Sequence, residues 1–88
     1  MSVRRFDPAP PLLVEMDALG LPWRFIWRGH SERVVTVEAT WEEQDGWWRG
    51  SGGSTMRRCH RVRTASGLRC LLYRRRDADA WTLGAILD

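Results

Sequence analysis

The stretch Trp23-Arg24-Phe25-Ile26-Trp27-Arg28-Gly29-His30 runs almost directly into Glu32-Arg33-Val34-Val35-Thr36-Val37-Glu38-Ala39-Thr40-Trp41, and the two halves carry different signatures. In the first, Trp23, Phe25 and Trp27 alternate with Arg24, Ile26 and Arg28. That period of two puts the rings on one face of a strand and the arginines on the other. The second half is rich in valine and threonine, whose branched side chains suit a pleated, half-buried surface. Gly29-His30 between them is a turn signal, because glycine reaches positive φ without steric cost. The whole reads as a β-hairpin. A two-residue turn at Gly29-His30 sets Phe25 opposite Val34. Val34, Val37 and Trp41 can then share the aromatic face only if the strand changes phase, and a β-bulge near Val35 or Thr36 supplies the change.

Outward from the hairpin, the chain alternates short strands and turns. Pro8, Pro10 and Pro11 remove backbone donors and fix φ, so residues 1–11 form an extended, Pro-rich arm. Leu12–Asp17 reads as a short strand, and Leu19-Gly20-Leu21-Pro22 as a turn. Beyond Trp41 come Asp45-Gly46, Trp47-Trp48-Arg49, and Gly50-Ser51-Gly52-Gly53-Ser54, whose composition predicts a flexible loop near 50–55. Met56–Thr64 and Leu68–Arg76 form a second hairpin through Ala65-Ser66-Gly67, with Gly67 left-handed. This register pairs Thr64 with Leu68, Val62 with Cys70 and His60 with Leu72 on an inner face. The outer face then pairs Arg63 with Arg69, Arg61 with Leu71, Cys59 with Tyr73, and Arg57 with Arg75. Asp77-Ala78-Asp79 is a turn, and a last strand follows with Trp81, Leu83, Ala85 and Leu87 alternating inward. Residues 12–88 are therefore expected to form one small all-β domain. Five to six strands in an antiparallel meander curl into an SH3-like barrel, with a half-open β-roll as the near alternative.

Composition sets further bounds. Only 88 residues are present, so the core must be dense, and six tryptophans help to fill it. Trp23, Phe25, Trp27, Trp41 and Trp81 are assigned to that core. No apolar run approaches the length of a membrane span, and no hydrophobic stretch follows the basic start, so a cytoplasmic domain without a secretory signal is expected. All fourteen basic residues are arginine, which reflects either a GC-rich genome or selection for bidentate anion recognition. Residues 1–44 carry five arginines against seven acids and residues 45–88 nine against four, so the second half is the basic one. Cys59 and Cys70, placed on opposite faces of paired strands, are expected to stay unbridged. His30, Cys59, His60 and Cys70 match no zinc spacing, and neither a metal nor a cofactor is expected.

No nucleophile, base and orienting acid stand out, so the expectation is a non-catalytic module. His30 reads as a turn residue and His60 as a core histidine. Two surfaces are candidates for recognition. Arg57, Arg61, Arg63, Arg69 and Arg75, with Tyr73 as a stacking platform, could follow the phosphates of single-stranded DNA. Arg24 and Arg28 extend that face if they share the outer surface. Trp47, Trp48 and Arg49 form the other candidate, a protein-docking patch: adjacent residues on a strand point to opposite faces, so one tryptophan must face out.

Phe25-x-Trp27-Arg28-Gly29, Val34, Val37, Trp41, Trp47-Trp48-Arg49, and the ending Arg61-Val62-x-Thr64, Gly67, Leu72-Tyr73-Arg74, Trp81-x-Leu83 and Asp88 together form a pattern. It resembles a bacterial domain family of unknown function, found as short stand-alone proteins and at the C-terminus of ImuB-type proteins. The latter are inactive relatives of Y-family DNA polymerases that act in damage-induced mutagenesis. The resemblance covers about residues 12–88 and implies a setting, DNA repair or translesion synthesis, and no reaction. That setting fits either candidate, but a net charge of only +3 is modest for a dedicated DNA binder and favours a protein-interaction module whose partner belongs to a repair or polymerase assembly, with a single-stranded nucleic-acid-binding module as the alternative.

Overall fold

Alternating apolar residues and closely spaced turn signals do build an all-β molecule. The computed structural model describes residues 3–6, 8–45, 55–75 and 80–87, and among them are seven strands. These are β1 (Arg4–Arg5), β2 (Pro11–Met16), β3 (Pro22–Trp27), β4 (His30–Asp45), β5 (Thr55–Thr64), β6 (Arg69–Arg75) and β7 (Trp81–Ile86). Strands β2 to β7 pair antiparallel in sequence order, and β7 returns to β2 through Leu12 opposite Trp81. The result is a six-stranded barrel, closed rather than half-open. Closure removes the exposed sheet edges that a roll would leave. The N-terminal arm is extended and lies along β7: Arg4 and Arg5 pair with Ile86 and Ala85, and the Phe6 amide donates to the Gly84 carbonyl (3.1 Å).

The β3–β4 hairpin differs from expectation by a shift in its turn. Its two central residues are Arg28 (φ 51°) and Gly29 (φ 77°), so Trp27 faces His30 and Phe25 faces Glu32, not Val34. A two-residue primed turn of this kind needs positive φ at both centres, and it follows the right-handed twist of the strands. His30 is therefore the first strand residue and not part of the turn.

The expected bulge is present, since Val34 pairs with Thr64 and Thr36 with Arg63, leaving Val35 extra. It brings Val34 and Val37 onto the core, as predicted. A second irregularity, between Val37 and Ala39, leaves Glu38 extra and reverses the phase. Trp41 consequently leaves the aromatic face and packs on the barrel's outside, contrary to expectation. Trp23 also departs, at 43% exposure: Glu15 pairs with Arg24 and Met16 with Pro22, so Trp23 is the extra residue of a bulge and drops out of the inward alternation. Phe25 and Trp81 are buried, and Trp27 packs half-buried against the same cluster.

The β5–β6 hairpin has the predicted register from Arg57–Arg75 to Arg63–Arg69, with Gly67 at φ 90°. Strand β7 departs from simple alternation. Leu71 pairs with Ala85 and Leu72 with Leu83, so Gly84 is the extra residue. Trp81 and Leu83 point inward, whereas Ala85 and Leu87 join an outer cluster with Cys59, Leu71 and Tyr73. Only glycine fits at the bulge, because a Cβ there would lie 2.2 Å from the Tyr73 ring. Among the described residues there are thus two buried apolar clusters, one inside the barrel and one on the outside of β5–β6–β7.

Candidate functional site

The arginine face is assembled as its register requires, but acids from β4 accompany it. Glu43 accepts from Arg57 Nε at 3.0 Å, and Glu38 accepts from Arg69 Nη2 at 2.9 Å while ion-pairing with Arg61 at 3.4 Å. On the opposite side of β5, Arg58 bonds Glu42 at 2.9 Å. The hydrogen bond from Arg69, aided by the charges of Arg69, Arg61 and Arg63, holds the Glu38 carboxyl below its usual pKa. Partial burial pushes Glu43 up, but the bonds from Arg57 and the Trp41 indole outweigh it and leave that carboxyl lowered too. Tyr73, expected as an open stacking platform, is buried at 8% exposure. Its ring covers Gly84 on one side and carries the Arg57 guanidinium 3.9 Å from its centroid. It has no face left for a base. Arg63 is exposed, and Arg75 is exposed opposite Arg57. The sequence signal for these ion pairs was the acid-rich end of β4, but using it required knowing that β4 lies beside β5 and where its bulges fall.

Trp47, Trp48 and Arg49, the loop of residues 50–54 and the Asp77-Ala78-Asp79 turn lie outside the described residues.

The sequence pattern gave less warning of the outward face of β2 and β3. Leu13 is 72% exposed and stands opposite Ile26, which is 37% exposed. Next to this pair Glu15 faces Arg24, whose Nε donates to the carboxylate at 2.7 Å and whose Nη1 donates to Ser31 at 2.9 Å. A cavity of about 270 Å³ opens here, lined by Leu13, Val14, Glu15, Arg24, Phe25 and Ile26. Met16, Leu19 and Trp23 continue the apolar exposure around the β2–β3 turn. That turn is held by the Asp17 carboxylate, which accepts from the Leu19 and Leu21 amides at 2.9 Å each. Arg24 lies over the Trp23 ring, 5.9 Å from its centroid. Arg24 is thus engaged within its own hairpin and the start of β4, by Glu15, Trp23 and Ser31. The hint for this surface was Leu13 and Ile26 falling out of phase with their buried neighbours Leu12 and Phe25.

Inside the barrel, His60 bonds Thr40 through Nδ1 at 3.0 Å and stacks on Trp81 at 5.5 Å, while its Nε2 has no hydrogen-bond partner among the described residues. Burial, with the charges of Arg58 and Arg74, lowers its pKa. Among the described residues no three His, Cys, Asp or Glu converge in a way that could hold a metal ion. Cys59 and Cys70 are free, buried in different clusters. Burial, then Glu43, pushes the Cys59 thiol up to about 12, and burial, then Glu32, does the same for Cys70, so neither is poised as a nucleophile.

A closed antiparallel barrel with an ion-paired arginine face and a bare apolar hairpin defines a small all-β module. Its sequence matches, over residues 2–88, the model of a family described as a domain of unknown function, DUF6504, and the chain belongs to that family. No curated protein and no solved structure matches it.

Proposed function

We propose that this domain is a non-catalytic protein-interaction module, accessory to DNA repair or translesion synthesis, that docks its partner through the outward face of β2 and β3. The observation that carries the reading is the exposure of Leu13, Met16, Leu19, Trp23 and Ile26 on one hairpin. Contiguous apolar exposure rimmed by polar groups marks interaction surfaces, and tryptophan, methionine and arginine are enriched where partners bind. The ion pairing of Arg57, Arg61 and Arg69 weighs in the same direction, because a cation already matched to a carboxylate releases fewer counterions from a nucleic acid. The repair setting rests on the resemblance to the domain carried by ImuB-type proteins.

The test is a double substitution, Leu13→Asp with Ile26→Asp. Both side chains face solvent, so the melt should stay near that of the wild type. Immobilised wild-type domain should retain a polymerase or repair protein from lysates of DNA-damaged bacteria, identified by mass spectrometry, and the double variant should lose it. Equal retention by both proteins would refute docking through this face.

A further inference from the structure

At the other end of β3 the barrel is closed by two rings that no assigned role uses. Phe6, on the N-terminal arm, meets Trp27 edge to face at 5.4 Å, and both rest half-buried on the core. Arg4 lies over the Phe6 ring at 5.4 Å and Arg28 over the Trp27 ring at 4.9 Å. Both arginines are exposed, and neither forms an ion pair among the described residues. This sets them apart from Arg24, Arg57, Arg58, Arg61 and Arg69, each bonded or ion-paired to a glutamate. The β4 acid nearest the turn in sequence, Glu32, accepts from the Ser66 hydroxyl at 2.8 Å.

The backbone gives a second, independent reason to single out Arg28. Among the described residues it is the one non-glycine with positive φ, at 51°. The first centre of a primed two-residue turn favours asparagine, aspartate or glycine, and an arginine there is strained. Strain retained against an easy remedy points to a role for the side chain. Here the turn holds an exposed guanidinium over an indole.

We propose that Arg4, Phe6, Trp27 and Arg28 form a subsite for the phosphate and base of single-stranded nucleic acid, separate from the docking face and from the β5–β6 arginines. Unmatched guanidinium groups offer bidentate hydrogen bonds to a phosphate. Unlike the buried Tyr73, the two rings are partly exposed, and once a guanidinium turns from its ring to a phosphate that ring offers a stacking surface that accepts any base. An acidic peptide could use the two cations but would leave the rings without a role, so the aromatic pair favours a nucleotide. The subsite does not depend on the protein-docking proposal.

The experiment measures anisotropy of a fluorescein-labelled oligothymidine of about twelve nucleotides, titrated with the full chain over a series of salt concentrations. Wild-type binding should weaken linearly in log-log with salt. Arg4→Gln and Arg28→Asn should each lower the slope by about 0.7. Arg28→Asn installs the preferred turn pair and should melt higher than wild type while binding more weakly. Opposite signs on stability and binding are not what a merely structural residue gives. Phe6→Leu, checked by melt, should weaken binding by roughly 5- to 150-fold with the salt slope unchanged. Arg63→Gln, which changes an exposed arginine outside the subsite, serves as a control. Absence of wild-type binding at low salt, an unchanged slope in Arg4→Gln and Arg28→Asn, or equal displacement of the oligonucleotide by poly-glutamate would each overturn the proposal.

Discussion

Gly84 and Tyr73 show how much a single position can decide in a domain this small. The tyrosine ring lies where a Cβ at residue 84 would have to go, at 2.2 Å, and it is itself buried over the Cys59–Ala85 cluster. Gly84→Ala should therefore force the ring or the bulge to move, costing about 1–3 kcal/mol in urea unfolding. A midpoint unchanged from wild type would mean that the contact is not made. Phe25, 1% exposed in the inner cluster, should cost about 3–5 kcal/mol as Phe25→Ala, much of the stability that a domain of this length possesses. His60 adds a pH dependence. Burial lowers its folded-state pKa below 6.5, so the unfolded chain binds the extra proton first. The histidine's contribution is complete above about pH 6.5 and is lost as the pH falls through the folded value. Urea midpoints should thus decline from pH 7 to 5.5, and an NMR titration of the His60 ring should place its pKa below that of an unstructured peptide. A midpoint that rises on acidification would contradict the buried, neutral ring.

The β4–β5–β6 sheet shows both what the sequence discloses and what it conceals. Gly67 and the flanking alternation set the β5–β6 register, because a three-residue connection with a left-handed glycine leaves one pairing. The first β4 bulge was legible for a similar reason, since Val34 and Val37 could not otherwise share a face. The second, at Glu38, and the β7 bulge at Gly84 were not, because no change of apolar phase in the sequence marks them. Those two irregularities carry Trp41, Ala85 and Leu87 to the outside, and Glu38 to Arg61 and Arg69. What looked like a bare cationic face is in this way largely compensated. Replacing Arg61 and Arg69 by glutamine should therefore leave the salt slope of oligonucleotide binding within error of wild type. A drop of about 0.7 per residue would show that the phosphates use this face after all. The same register places Cys59 and Cys70 on opposite sides of the sheet. Native protein should be unreactive toward a thiol reagent at pH 8, and the unreduced, denatured chain should titrate both thiols.

For the molecule as a whole, closure divides the surface into regions with different chemistry. Pairing of Leu12 with Trp81 and of the N-terminal arm with β7 completes the barrel, seats Phe6 against Trp27, and leaves the outward side of β2–β3 uncovered. On β5 and β6, Arg57, Arg58, Arg61 and Arg69 are paired with glutamates of β4. A partner protein and a nucleic-acid strand would therefore meet the domain at different places, the first on the Leu13–Ile26 face and the second at the Phe6–Trp27 end. Docking through the first is the central claim, and site-specific photo-cross-linking tests it most directly. A benzophenone amino acid is placed at Leu13 in one variant and at Arg63, exposed on β5, in another, and both are irradiated in DNA-damaged bacteria. Docking through the Leu13–Ile26 face predicts one discrete adduct from position 13, containing a polymerase or repair protein, and none from position 63. Adducts from position 63 alone, or none from position 13 in a folded, expressed variant, would contradict it.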